Sequence, residues 1–430
     1  MTRPSARVLL RHARELLTMD RELPRSGAPT WDPGDLGVVR DGAVGVADGR
    51  IVAVGTTAEV ERRFPVSSGD TVVEVGDRVL APGLVDCHTH ALFVQDRAEE
   101  FSLRLQGRSY QDIARAGGGI ASSVRALRSA SDAQLQATLA RRLRRMALRG
   151  VTTVEVKTGY ALDTANELRS LRAIAAVEGA VPTFLPYHAV PPELRASPDG
   201  RSRYLKEVSE VMLPAVLAAG LARFIDAYVD GAGFSPAEVR EALQRARASG
   251  LGVRLHVGQF DDVGGAELAA ELGATSADHL EHVTDRGLDA LSSAGTVAVL
   301  LPGAAFSLGQ TPPDARRLRA HGVSVAVATD SNPGTSRTEN LPLMASLAVR
   351  LEGLTTVEAW HAITAVPARS LGLDDRGRLR PGMRADLCVL DLPTWEALPY
   401  VLGDVHAPLV LRAGVPLAAM ASPELCQHVP

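Results

Sequence analysis

The chain has 430 residues, 46% of them hydrophobic, enough for two domains or for one barrel with an accessory domain. A formal net charge of −4 and a pI near 6.3 leave no dominant basic patch, so nucleic acid is not an expected partner. No run approaches the roughly 18 apolar residues of a membrane span, MTRPSARVLLRHARELLTMD lacks the apolar core of a signal peptide, and Cys87, Cys388 and Cys426 do not form a disulfide framework, which together point to a reducing cytoplasm and no membrane partner.

Residues 1–80 read as short β pieces such as GAVGVADGRIVAVG, separated by turn residues. RVLAPGLVDCHTH (78–90) follows, and from there a unit repeats: a helical pattern ends, a glycine follows, and a buried apolar run begins. Gly150 precedes VTTVEVKTGY, Gly179 AVPTFLPYHAV, Gly220 LARFIDAYVD and Gly250 LGVRLHVGQF. Gly273 precedes ATSADHLEHV, Gly295 TVAVLLPG and Gly322 VSVAVATDSNPG. A helix commonly ends on a left-handed residue, which glycine reaches without a Cβ clash. Ser235 and Pro236 carry the start signals of one helix. RRLRRM (141–146) reads as a solvated helix face. Residues 376–430 return to the β style of the start, as in GRLRPGMRADLCVLDL.

Eight apolar strands alternating with helices over residues 81–375 predict a parallel (β/α)8 TIM-like barrel. Such barrels place their chemistry at the C-terminal ends of the strands. The polar residues fall there: His88 and His90 after strand 1, Lys157 and Tyr160 after strand 2, and His188 after strand 3. Strand 4 carries Asp226 and Asp230, strand 5 ends at His256 with Gln259 beyond, strand 6 ends at Asp278 and His279, and strand 8 at Asp330. Alternate residues of a strand share a face, so His88 and His90 can aim together into the barrel mouth. Imidazole and carboxylate donors suit zinc or iron, and His88, His90, His256 and Asp330 make such a site. His12, His321, His361, His406 and His428 read as ordinary hydrogen-bonded residues. Two-metal barrels need a bridging group on strand 4, often a lysine; RFIDAYVD has none, which favours one ion per chain. Asp226 reads either as a bridge in its place or as a carboxylate tying down a loop.

PGLVDCHTHALFVQDRAEEFSLRLQGRSYQDI, GGGI, EVKTGY, HAVPPE, SADHLEH, VAVLLPG and ATDSNPGT together resemble the imidazolonepropionase family of the amidohydrolase superfamily, from about residue 80 to 345. The resemblance implies a small β-sandwich domain built from residues 1–80 and 376–430, and a homodimer. It implies a metal-dependent hydrolase of histidine degradation that opens the lactam of 4-imidazolone-5-propanoate to N-formimidoyl-L-glutamate. His88, His90, His256 and Asp330 match the family's metal ligands, for zinc or iron. Arg97, Tyr160, His188, Gln259 and Thr335 match substrate contacts, with Tyr110 near the substrate and Asn332 and Gly334 on the product side. His279 matches a histidine beside the metal's water. Gln259 is an amide and cannot titrate, so the proton work falls to Asp330 and His279, while His188 would hydrogen-bond the ring or its carbonyl. Arg97 offers a fork for the propanoate, or else a salt bridge within its loop, to Asp96 or Glu99. GGGI (117–120) lacks a Walker lysine and reads as a flexible or close-packed loop over the site. The competing assignments are a deaminase of a cyclic amidine, which would release ammonia, and a barrel that binds without turnover.

Overall fold

The computed structural model describes residues 7–23, 29–108, 118–417 and 426–428. The first sheet opens with β1 (Val8–Leu17), β2 (Val38–Ala47), β3 (Arg50–Thr56), β4 (Thr71–Glu74) and β5 (Val79–Pro82). β1 pairs with β4 through Val8–Arg11 and with β5 through Glu15 and Leu16. The register shift between Leu10 and Ala13 in its pairing with β2 separates the two partners. His12 takes φ +54° inside that irregularity, as expected where a bulge bends a strand. Leu10, Leu16, Val44, Val73, Leu80, Leu387 and Leu411 fill the core of this β-sandwich.

The barrel follows: β6 (Leu84–Asp86), β7 (Val151–Lys157), β8 (Ala180–Tyr187), β9 (Phe224–Val229), β10 (Gly252–Val257), β11 (Ser276–His279), β12 (Val297–Leu300) and β13 (Val325–Val327). They pair in sequence order and in parallel. Most of their residues are buried, as strands covered on both faces require. The chain then returns to the first sheet as β14 (Leu387–Leu390), β15 (Leu409–Arg412), β16 (Val415–Pro416) and β17 (Cys426–His428). Arg412 donates to the carbonyls of Thr152 and Glu178, tying the sandwich to the start of β7, the end of the barrel away from His88.

The local punctuation follows the sequence. All seven glycines that precede barrel strands sit at positive φ, between +57° and +93°. Ser235 caps the helix Pro236–Ala248 in a capping box with Glu238. In RRLRRM, Arg141, Arg144 and Arg145 face solvent as expected, and one residue departs. Arg142 turns inward from the helix Asp132–Ala147 and is 3% exposed. Its guanidinium donates to the carbonyls of Ala91 (3.0 Å) and Phe93 (2.5 Å) and stacks 3.4 Å from the Phe93 ring centroid. The arginine supplies donors to a buried loop whose backbone has few other partners. No helix among the described residues is long and apolar enough to cross a membrane.

β13 does not pair with β6 along its length; the barrel closes just beyond both strands. The Asp330 amide donates to His88 O and the His90 amide to Ser331 O, each at 3.0 Å, around a parallel bridge between Thr89 and Ser331. Beneath that seam Asp86, fully buried, accepts from the Thr329 amide (3.1 Å) and hydroxyl (2.6 Å). Burial pushes its carboxyl up to about 7, against those bonds. Asp86→Ala strands both Thr329 donors. It should cost about 2–5 kcal/mol of unfolding free energy in urea titration; a loss below about 0.5 kcal/mol would show that the seam does not need the carboxylate.

Candidate active site

The seam delivers two histidines and an aspartate to one point, and β10 brings a third histidine. One nitrogen each of His88, His90 and His256 lies within 4.8 Å of the others, and all three side chains are buried. His90 Nε2 stands 3.2 Å from His256 Nε2. Asp330 Oδ1 stands 3.6 Å from His88 Nε2 and 3.5 Å from His90 Nε2. Donors bound at about 2.1 Å to a tetrahedral ion are separated by about 3.4 Å, so this spacing fits one.

The protonation pattern agrees. His88 Nδ1 lies 2.6 Å from Asp278 Oδ2, and His256 Nδ1 3.1 Å from Asp226 Oδ1. A carboxylate there accepts, so each Nδ1 carries the hydrogen and each Nε2 presents a lone pair. His88 Nε2 is buried without a hydrogen-bond partner among the described residues. Burial first, then Lys157, pushes His88 well below its ordinary value; burial first, then His188, does the same to His90. Both are therefore neutral, the form that ligates a cation. Burial lifts the Asp330 carboxyl to about 6 while His279 and His256 oppose it, and a cation at its oxygen would pull it back down.

Beneath the histidines lies a floor of buried charge. Lys157 Nζ contacts Glu155 Oε1 (2.9 Å), Asp226 Oδ2 (2.8 Å) and Asp278 Oδ2 (3.8 Å). Arg254 reaches Asp278 (3.5 Å) and donates to Cys87 O (2.8 Å). Burial opposes the Lys157 ammonium, but Asp226 and then Glu155 outweigh it and the pKa is raised. Asp226 thus meets His256 and Lys157 and not a loop backbone. Asp230 is the loop tie, accepting from the Phe260 (2.9 Å) and Asp261 (3.3 Å) amides. The roles of Asp226 and Asp278 were not legible in the sequence. The available signal was, for each, a carboxylate inside a buried barrel strand.

The rim holds the remaining candidates. His188 and Tyr160 flank His90, with ring centroids 5.1 Å (His188–His90), 6.0 Å (Tyr160–His90) and 5.2 Å (Tyr160–His188) apart. His188 Nδ1 lies 2.9 Å from Gly159 O. A carbonyl only accepts, so His188 Nε2 is an acceptor. Burial pushes His188 down to about 3, and the charge of Arg97 adds to that. Glu167 accepts from the amides of Gly159, Ala161 and Leu162 and so shapes the loop that carries Tyr160. Arg97 Nε donates to Glu100 (2.8 Å), not to Asp96 or Glu99, and Glu100 also accepts from the Gly119 amide (2.9 Å) at the end of GGGI. The Arg97 guanidinium packs on Gly334, where a Cβ would lie 2.6 Å from Nη1. Asn332 spends its amide within its own loop, on Asp330 O, Thr335 Oγ1 and the amides of Gly334 and Thr335. Gln259, 7% exposed, follows β10, and its carbonyl accepts from Gln310. His279 ends β11 with its ring 5.5 Å from that of His256. Tyr110 lies outside the described residues. Of the other histidines, His12, His321 and His406 pair with nearby aspartates, and His361 stacks on Trp31.

Residues 118–418 match the model of the amidohydrolase family, and residues 42–65 that of the imidazolonepropionase-like composite domain of bacteria. The imidazolonepropionase of Symbiobacterium thermophilum is 45% identical over 95% of this chain and 96% of its own. That of Geobacillus kaustophilus is 40% identical over 95% and 97%. Among solved structures, a zinc-bound adenosine deaminase from Xanthomonas campestris superposes with TM-score 0.68 at 19% identity, covering 96% of this chain and 92% of that one. E. coli guanine deaminase gives 0.68 at 17%, covering 96% and 99%. At such identities these two structures speak for the fold alone.

Asp278→Asn and Asp226→Asn each leave a histidine of the cluster without its anionic acceptor. Each should weaken zinc retention by roughly 10- to 100-fold in a chelator competition. Wild-type affinity in both would remove these carboxylates from the metal site.

Proposed function

The chain belongs to the imidazolonepropionase family of the amidohydrolases, and from that premise we propose that it hydrolyses 4-imidazolone-5-propanoate at its lactam C–N bond, giving N-formimidoyl-L-glutamate. The observation that carries the reading is the shared rim: three histidines gathered at ion spacing, Asp330 3.6 and 3.5 Å from two of them, and a guanidinium packed against the loop that follows Asp330. His88, His90, His256 and Asp330 would hold one zinc or iron ion. Lys157 supports a single ion, because its ammonium already neutralises the carboxylates on which a second cation would depend. A bound cation of this kind supplies Lewis-acid chemistry, polarising a carbonyl and acidifying water.

The chain's own residues then divide the remaining work. Asp330 takes the proton of the attacking water on its carboxylate and delivers it to the ring nitrogen that leaves. His279 accepts a hydrogen bond from the attacking water through its imidazole and so orients it. His188, held at Nδ1 by the Gly159 carbonyl and so an Nε2 acceptor, receives a ring N–H of the substrate; the contact with Gly159 supports this role over donation to the lactam carbonyl. Arg97, held through Nε by Glu100, turns its terminal nitrogens to the propanoate. Tyr160 and Thr335 line the same face, and Gln259 orients without titrating. Asn332 acts by shaping the loop, which sets Gly334 against Arg97.

The zinc-loaded protein should consume enzymatically generated imidazolone, followed by its absorbance, and lose that activity on chelation. Arg97→Ala should raise KM by roughly 10- to 100-fold, the worth of a charged hydrogen-bond pair, with a much smaller change in kcat. Ammonia release, or a KM untouched by the substitution, would overturn the substrate assignment.

A further inference from the structure

A buried glutamate pair stands behind His279 and has no part in the reaction as described. His279 and Leu280 end β11 at φ +83° and +75°, a left-handed pair that residues with a Cβ rarely adopt. The turn is held by Leu280 N donating to Val257 O (3.0 Å) and His282 N to Gly258 O (2.8 Å). It folds the chain back so that Glu281 meets the ring it follows: Glu281 Oε1 lies 3.6 Å from His279 Nδ1. The two side chains are 1% and 3% exposed. Neither oxygen of Glu281, nor His279 Nδ1, has a hydrogen-bond partner among the described residues. A buried carboxylate left without a donor is costly, and His279 Nδ1 stands a few tenths of an ångström beyond hydrogen-bond reach of it.

We propose that Glu281 is the positioning residue of His279: it accepts the Nδ1 hydrogen, fixes the tautomer and turns Nε2 toward Asp330 and the reacting oxygen. The backbone strain has a purpose on this reading, since the left-handed turn brings residue i+2 to the ring of residue i. Glu352 lies near enough to Glu281 to feel its charge. It ends the π-helical turn Ala348–Glu352, is 1% exposed, and likewise has both oxygens without partners among the described residues. Burial first, then the charge of Glu281, raises its carboxyl well above the usual range, so it sits there as the neutral acid. π turns recur at functional sites because they re-aim a side chain that an α-helix would misplace.

The role of His279 rests on the function proposed above; the geometry of the pair does not, and the test separates them. In the zinc-loaded enzyme, Glu281→Gln keeps the shape and should lower kcat by roughly 10- to 100-fold, with KM and metal content within about twofold. In a His279→Ala background the same substitution should change kcat by less than about twofold, because Glu281 acts through His279. ¹⁵N NMR of the imidazoles should show His279 protonated on Nδ1 in the wild type and redistributed in Glu281→Gln, a readout that needs no turnover. An equal loss of kcat in both backgrounds, or a wild-type His279 carrying its hydrogen on Nε2, would overturn the proposal. A wild type that leaves imidazolonepropanoate untouched would overturn the substrate assignment, and the NMR readout would still decide this one.

Discussion

Two backbone hydrogen bonds organise this molecule: Asp330 N to His88 O and His90 N to Ser331 O. They close a barrel whose first and last strands do not otherwise pair. Closure and the gathering of these side chains are therefore one event. His88 and His90 stand on one lip of the seam and Asp330 on the other, and only His256 comes from elsewhere on the wall. The alternation of side chains along an extended segment sends both histidines inward. Asp330, at φ +48°, turns its carboxylate back across the gap. Anything that parts the lips, such as loss of the Asp86 clamp, also disperses the ligands.

Electrostatics completes what the backbone begins. Three carboxylates and two cations lie fully buried below the histidines: Glu155, Asp226, Asp278, Lys157 and Arg254. Desolvating so many charges contributes little net stability and is often outdone by apolar packing. What the arrangement supplies is direction. Asp226 and Asp278 hold two imidazoles by Nδ1, so Nε2 faces inward, and Lys157 holds both carboxylates in place. The same device recurs at the rim, where a backbone carbonyl fixes His188 and Glu100 fixes Arg97. Each functional side chain is oriented through the atom that the chemistry does not need.

The repeating glycine-then-strand unit exposed the barrel because left-handed glycines and apolar strands are local properties. HTH, the strand-5 histidine and Asp330 were legible for the same reason: each sits at a strand end that periodicity locates. The partners were not. Asp278 meets His88 only because the barrel closes, 190 positions apart along the chain. Asp226 pairs in register with Arg254, two residues before His256, a relation that periodicity cannot supply. Arg142 looked like one more solvated arginine, yet it is the buried donor for the loop after His90. The salt-bridge alternative for Arg97 named a neighbour at i−1 or i+2, whereas the helix Ala98–Leu105 places Glu100 at i+3 on its side.

The most direct test of the account follows the oxygen. Turnover of 4-imidazolone-5-propanoate in H₂¹⁸O by the metal-loaded protein should place one ¹⁸O in the carboxylate next to the formimidoyl nitrogen, with no ammonia released. That would show water attacking the lactam carbonyl and the ring nitrogen leaving. Release of ammonia, or recovery of substrate unchanged by an enzyme that retains its metal, would keep the barrel and its ligands and contradict the reaction assigned to them.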